Sequence, residues 1–137
     1  MNKLQIAINS IAGAVGAILA FLFGEITGLF LALLAFMALD YITGIIIAVI
    51  NRKLSSKTGF KGLAKKLLIL VFVALGHIID RYILGGTPAA MSAVMLFYCA
   101  NEGISIIENA AALGLPVPKK LRQIMQQIKE KGDSDDA

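Results

Sequence analysis

The sequence predicts an all-α integral membrane protein with about four transmembrane helices and additional amphipathic helices on the cytoplasmic side. The 137-residue chain is 58% hydrophobic, with a mean hydropathy of +0.79, whereas a soluble domain is about 45–50% apolar. Its apolar residues form continuous runs, not the alternating segments of a membrane β-barrel. Each run is close to the roughly 20 residues that a helix needs to span a bilayer.

The apolar runs define four expected spans within a transmembrane domain, 1–118. In chain order they are 6–23, 26–50, 67–84 and 89–113. A polar turn at 24–25 separates the first pair, and a Gly-Gly-Thr-Pro turn at 85–88, a strong chain break, separates the last pair. The first span is short and the fourth is polar, so three spans are the alternative if one of these lies in the membrane interface.

Basic residues indicate the orientation of the spans, because short loops rich in lysine and arginine stay in the cytoplasm. Of the 13 basic residues, six lie in a loop at 51–66 and five lie within 119–131. Both regions are therefore predicted to be cytoplasmic. Two spans connect them, so we expect both chain termini inside as well.

The same two basic regions have the pattern of amphipathic helices on the inner leaflet. Lysines recur every four residues in the first region, at Lys53, Lys57, Lys61 and Lys65. Apolar residues recur at helical spacing within 119–131, and Lys119, Lys120 and Arg122 lie beside them. Anionic lipid attracts each basic residue by about 1 kcal/mol, so these seven are candidate headgroup contacts; a merely solvated face is the alternative. The acidic segment 132–137 is predicted to be disordered.

Asp40 is the only charged residue in 26–50 and lies near its middle. A carboxylate at the bilayer centre costs about 2.5–3.5 kcal/mol, so it needs a partner, a proton or water. The fourth span has a polar face with further groups of this kind, namely Asn101, Glu102, Ser105, Glu108 and Asn109. We predict that Asp40 and these residues form a water-contacting interface around a pore; a hydrogen-bonded cluster inside one subunit is the alternative.

Two further patterns mark candidate positions for assembly and triggering. Small residues at four-residue spacing form a stripe along the first span, at Ala12, Gly16, Ala20 and Gly24. Such a stripe favours close helix packing in lipid, either between subunits or within one. The outer end of the third span carries His77, Asp80 and Arg81, which are either an interface anchor or a pH- or voltage-responsive group.

The sequence contains no pattern that indicates catalysis or the binding of a metal or cofactor. The chain has one cysteine and one histidine, and no metal-ligand spacing, phosphate loop or catalytic elbow is present. We therefore expect no enzyme activity, catalytic residue, cofactor or metal, and no nucleic-acid partner.

Several ordered stretches are similar to a known family. They are LDYITG at 39–44, LSSKTGFKG at 54–62, HIID at 77–80, NEGISIIEN at 101–109 and GLPVPKKL at 114–121. In these stretches the chain resembles the bacteriophage lysis holins, a family that also includes the clostridial toxin-secretion holins. The resemblance covers roughly 39–131, whereas the first span fits the family only in its general character.

The resemblance implies a function in the bacterial cytoplasmic membrane. A holin forms homo-oligomers in the lipid bilayer and permeabilises it at a set time, so that endolysin, or a toxin, crosses without direct contact. An antiholin is a further partner of this kind. Holins are commonly described with three spans, whereas the charges here favour four. Two other classes stay open: a small proton-coupled exporter or ion channel that uses intramembrane carboxylates, and a non-conducting membrane adaptor that recruits a partner through its basic loop.

Overall fold

The computed structural model describes residues 1–133 and contains five helices. They are α1 (Lys3–Phe23), α2 (Gly28–Ile50), α3 (Ser56–Tyr82), α4 (Ala89–Ala112) and α5 (Lys119–Asp133). Helices α1 to α4 are each long and apolar enough to cross a membrane. The predicted fold class, an all-α membrane protein with four candidate spans, is confirmed. Of the predicted disordered tail, Gly132 and Asp133 belong to α5, and 134–137 lies outside the described residues.

Short polar side chains determine where the first three helices begin. The side chain of Asn2 accepts a hydrogen bond from the Gln5 amide at 2.8 Å, and Thr27 Oγ1 accepts one from the Phe30 amide at 3.3 Å. Ser55 Oγ accepts one from the Thr58 amide at 3.1 Å. Each bond satisfies an amide that the first turn of a helix leaves free.

The predicted basic loop at 51–66 is wrong in its extent. Capping by Ser55 starts α3 at Ser56, so the third helix begins well before the expected span at 67–84. Lys57, Lys61 and Lys65 lie on this helix, whereas Lys53 lies in the preceding turn. A helix of 27 residues is about 40 Å long, which exceeds a hydrocarbon core of about 30 Å. The basic first turns of α3 therefore extend the third span and do not form a separate helix on the membrane surface.

Helices α2, α3 and α4 form the core of the molecule, with α2 and α4 parallel and α3 antiparallel to both. Leu33 of α2 and Val73 of α3 are fully buried, and Met95 and Cys99 of α4 pack with them. The core lies between the helices that carry the polar residues, so it sets the distances between them.

Helix α1 contacts α3 where the carboxyl-terminal turns of the two helices meet. The rings of Phe21 and Tyr82 are 5.9 Å apart, and the His77 ring packs against Gly24. Gly24 ends α1 with a φ of +65°, and an added Cβ would lie 2.5 Å from the His77 ring, so both conformation and space favour glycine. None of the residues of α1 is buried.

Helix α5 turns back after 113–118 and packs along α4. Met125 is its one buried residue, and the Met125 sulfur lies against Gly103 of α4. Seven residues further on, Gly132 contacts the backbone of Phe97. The helix predicted at 119–131 is therefore present, and it runs antiparallel to α4.

Candidate functional site

The candidate site is a charged cluster that three of the spanning helices build between them. Lys66 of α3 lies between two carboxylates, with its Nζ 2.8 Å from Asp40 Oδ2 on α2 and 2.5 Å from Glu102 Oε2 on α4. All three side chains are largely shielded, with exposed fractions of 10–16%. Each lies within a few residues of the middle of its helix, so the cluster is close to the centre of the membrane.

The ion pairs supply the partner that Asp40 requires. A lone charge in a low-dielectric interior is unfavourable, and attraction to a hydrogen-bonded opposite charge offsets that cost. Here one ammonium serves two carboxylates, so with all three groups ionised the cluster has one negative charge in excess. That imbalance makes Lys66 the residue on which both carboxylates depend.

Neutral polar groups extend the cluster between α2 and α4. Asn109 Nδ2 donates to Thr43 Oγ1 at 2.8 Å and to Asp40 Oδ1 at 3.4 Å. Thr43 Oγ1 in turn donates to the Leu39 carbonyl at 2.9 Å. Asp40 therefore has acceptors engaged on both sides, by Lys66 and by Asn109, which holds its carboxylate in place.

A cavity of about 420 Å³ opens beside the cluster. Its polar lining includes both carboxylates, Lys66, Ser105 and Asn109, and its apolar walls come from the last turns of α2, including Ile45 and Ala48. Tyr41 lies at its edge and donates to the Gly59 carbonyl at 3.4 Å. The cavity is large enough for several water molecules, so it can give the charged groups a polar environment.

The structure brings together four of the six residues predicted for the polar face. Asp40, Glu102, Ser105 and Asn109 line the cavity. Asn101 and Glu108 belong to α4 but are not among the lining residues, and Glu108 is exposed. Because a helix rotates about 100° per residue, Asn101 and Glu108, seven residues apart, lie together on a neighbouring face of α4. That they line a pore stays a prediction.

At the outer end of α3, Asp80 stabilises the start of α4. Its carboxylate is 3% exposed and accepts hydrogen bonds from the amides of Ala90 at 2.8 Å and Met91 at 2.9 Å. Pro88, the residue before α4, provides no side-chain cap, so Asp80 takes that role from a neighbouring helix. His77 is half-buried against Gly24, and Arg81 is exposed.

The other predicted positions lie on the surface of the subunit. The small-residue stripe of α1 is mostly exposed, and an added Cβ at Gly16 would have no neighbour within 4 Å. Lys53, Lys57 and Lys61 are exposed, and exposed Lys65 also lines the cavity. Lys119, Lys120 and Arg122 are exposed at the start of α5. Whether they contact lipid headgroups stays a prediction.

Sequence reasoning missed Lys66, which was assigned to the basic loop. A signal was available in the spacing: Lys66, Ile69, Val73, Gly76 and Asp80 follow one another at three- and four-residue steps along α3. The last four are buried, and the first lies on the same face. Lys66 is therefore aligned with the core face, whereas Lys57, Lys61 and Lys65 form a different face.

Within residues 1–133, no group of three or more histidine, cysteine, aspartate or glutamate side chains is placed to hold a metal ion. The chemistry that the cluster offers is instead the pairing, exposure or hydration of charge inside a membrane.

Four apolar helices, three of which surround a charged, cavity-lining cluster, define a small multi-pass membrane protein. Residues 17–130 match the bacteriophage holin family, and the chain belongs to that family. The match includes every residue of the charged cluster, all of α2, α3 and α4, most of α5 and the last turns of α1.

Relatives of similar length occur in several bacteria. An uncharacterized protein of Listeria monocytogenes is 44% identical over 121 residues, covering 88% of this chain and 86% of the relative. An uncharacterized 14.9 kDa protein of Clostridium perfringens is 40% identical, covering 86% and 89%. An uncharacterized protein of Bacillus subtilis is 37% identical, covering 79% and 76%. No solved structure matches the chain.

Proposed function

We propose that this chain is a phage holin, which oligomerises in the cytoplasmic membrane of its bacterial host and permeabilises it at a set time. Endolysin, or a toxin, then crosses the membrane without direct contact with the holin, and an antiholin delays the event. The amino terminus lies in the cytoplasm, and the turn between α4 and α5 lies on the same side of the membrane. The observation that carries the proposal is the family match over residues 17–130, which includes Asp40, Lys66 and Glu102.

The state of α1 supports oligomerisation. It is long and apolar enough to span the membrane, yet none of its residues is buried within the subunit. Its small-residue stripe is open, with no atom within 4 Å of an added Cβ at Gly13 or Gly16. Small residues let helices approach closely in lipid, so a second copy of the chain fits this face.

The charged cluster supports a change between a silent and a permeabilising state. With Lys66 paired to Asp40 and Glu102, a single subunit enters the membrane with its charges neutralised in part. When subunits assemble, the cavity beside the cluster becomes continuous with water and the pairs become hydrated. The polar groups then favour the open assembly, because charge is far more stable in water than in lipid.

Inducible expression in bacteria tests the proposed function. With a cytoplasmic endolysin co-expressed, we expect normal growth for a delay, followed by an abrupt loss of viability and release of cytoplasmic protein. Cells that express endolysin alone should not lyse within the same period.

Two other outcomes would contradict the proposal. A change in drug resistance or internal pH without release of protein would indicate an exporter or ion channel. Normal viability without release of cytoplasmic protein, in cells whose membranes contain the chain, would indicate an adaptor.

A further inference from the structure

Helix α5 lies beside the middle of a membrane-spanning helix, although it is strongly charged. Asp80 joins α3 to the start of α4, and Asn109 joins the end of α4 to Thr43 of α2. Helix α4 therefore spans the same part of the membrane as α2 and α3. Along α5, Met125 packs against Gly103 and Gly132 against Phe97. The middle of Ala89–Ala112 is near Ala100, so α5 extends about 5 Å or more beyond it.

Lipid is an unfavourable environment for the outward side of α5. The helix KKLRQIMQQIKEKGD has five basic and two acidic residues, and each basic residue in mid-membrane costs about 2.5–3.5 kcal/mol. The exposed residues in its second half are polar: Gln126, Gln127, Glu130, Lys131 and Asp133. Lys129 is partly shielded, with its Nζ 5.8 Å from the centre of the Phe97 ring.

The opposite sides of the molecule are apolar. Large exposed hydrophobic residues are spread along α1, α2 and α3, for example Ile11, Ile42 and Val71. Helix α4 exposes no large hydrophobic side chain between Ala89 and Ala112. The subunit therefore has one polar side, formed by α5 over α4, and an apolar surface on the three other helices.

We propose that α5 is a water-facing wall of the permeation path, and that its first half, where Lys119, Lys120 and Arg122 are exposed, attracts anionic solutes. This rests on the proposed function, since a pore between subunits supplies the water that α5 requires. Basic residues along a narrow polar path concentrate anions and disfavour cations. Over a distance of about 10 Å at 0.1 M salt, this effect acts on any solute close to α5.

Three cysteine variants, each made after Cys99→Ala, test the proposal in everted inner-membrane vesicles. The first, Gly103→Cys with Met125→Cys, forms a disulfide if α5 lies on α4. The second adds Gln127→Cys and the third adds Gln123→Cys, and the reaction of each added cysteine with membrane-impermeant thiol reagents is measured in the disulfide-linked molecules. Val71→Cys, at an exposed apolar position of α3, is the control that faces lipid.

We expect the disulfide to form, Gln127→Cys to react and Val71→Cys to be protected. At Gln123→Cys, which lies beside Lys119 and Arg122, we also expect an anionic thiosulfonate to react roughly tenfold faster than a cationic one, relative to their rates with a free thiol. Absence of the disulfide, protection of Gln127→Cys, or equal rates for the two reagents would overturn the proposal.

Leakage of a dye trapped in the same vesicles separates this proposal from the proposed function. If the dye is retained while Gln127→Cys reacts and Gln123→Cys prefers the anionic reagent, release of solutes as large as the dye is contradicted, whereas α5 still lines a water-filled path. If the dye escapes while Gln127→Cys is protected, the holin function stands and the role of α5 is wrong.

Discussion

At the scale of single residues, Lys66 determines how the chain holds two carboxylates in a membrane. Asp40 and Glu102 belong to different helices and share one ammonium. Removing a single member of a buried ion pair is more costly than removing the whole pair, because the charge left behind has no partner. Replacing Lys66 alone should therefore lower the stability of the protein more than replacing all three charged residues together.

Lys66→Met should destabilise the detergent-solubilised protein by about 3–5 kcal/mol, because both carboxylates lose their cation. Chemical unfolding followed by circular dichroism measures the change. Lys57→Met, which removes an exposed lysine from the same helix, should change stability by less than about 0.5 kcal/mol. The combination of Lys66→Met with Asp40→Asn and Glu102→Gln should recover most of the loss. Equal stability of the two single lysine variants would contradict the importance of the cluster.

Asp40→Asn and Glu102→Gln should each shift the time of lysis or abolish it. Each substitution removes one charge from the cluster and so changes the balance between the paired and hydrated states. The measurement is the delay between induction and lysis at equal membrane levels of protein, with Glu25→Gln in the exposed α1–α2 turn as the control. A delay identical to that of the unmodified protein in both variants would show that these carboxylates have no part in timing.

At the scale of helices, the elements have different roles. Helices α2, α3 and α4 form the core and α5 packs on α4. Helix α1 packs mainly on α3, with one ring contact to α2 between Phe23 and Phe30 at 5.2 Å. Asp80 of α3 both links two helices and caps one of them, because its carboxylate binds the first amides of α4. Assembly and stability should therefore be separable by substitutions in α1 and at Asp80.

Gly16→Leu should block assembly without unfolding the subunit. An added side chain at Gly16 meets open space within the subunit, but it would separate two helices packed through the small-residue stripe. Chemical cross-linking in membranes measures the oligomers, and circular dichroism checks the fold. Val15→Leu, at an exposed position one residue away, is the control and should cross-link normally. A normal ladder of oligomers for Gly16→Leu would exclude this face as the seam.

Asp80→Ala should destabilise the protein by about 1–2 kcal/mol, because the first amides of α4 lose a charged cap. Arg81→Ala, which changes the exposed neighbour, should have little effect. Thermal unfolding in detergent measures both variants. If Asp80→Ala were as stable as Arg81→Ala, the cap would have no energetic role.

The helices could be predicted from sequence because apolar runs and turn signals determine them locally. Helix α4 was predicted at 89–113 and found at Ala89–Ala112. The start of α3 was misplaced, because the basic stretch at 51–66 was assigned to a loop with its own amphipathic helix, whereas the Ser55 cap begins one continuous helix there. Asp40 was recognised from its position alone, but its partner was not, because pairing depends on how three helices rotate toward one another. The path of α5 along α4 likewise depends on tertiary packing.

At the scale of the whole molecule, the subunit is asymmetric. Its apolar surface on α1, α2 and α3 suits lipid or another copy, whereas a charged cavity lies between α2, α3 and α4, and α5 adds a polar surface. A monomer surrounded by lipid leaves the polar side poorly solvated. In the proposed assembly several copies enclose water against this side, so we expect opening to depend on protein concentration.

Release of trapped solutes from liposomes by the purified protein tests the central claim, membrane permeabilisation by assembly, most directly. As the ratio of protein to bacterial lipid increases, we expect an abrupt onset of release of dextrans as large as an endolysin. Gly16→Leu should raise the ratio of protein to lipid at which release begins. Retention of these dextrans at every ratio, with passage of protons or small ions alone, would contradict permeabilisation by assembly and indicate a channel or transporter.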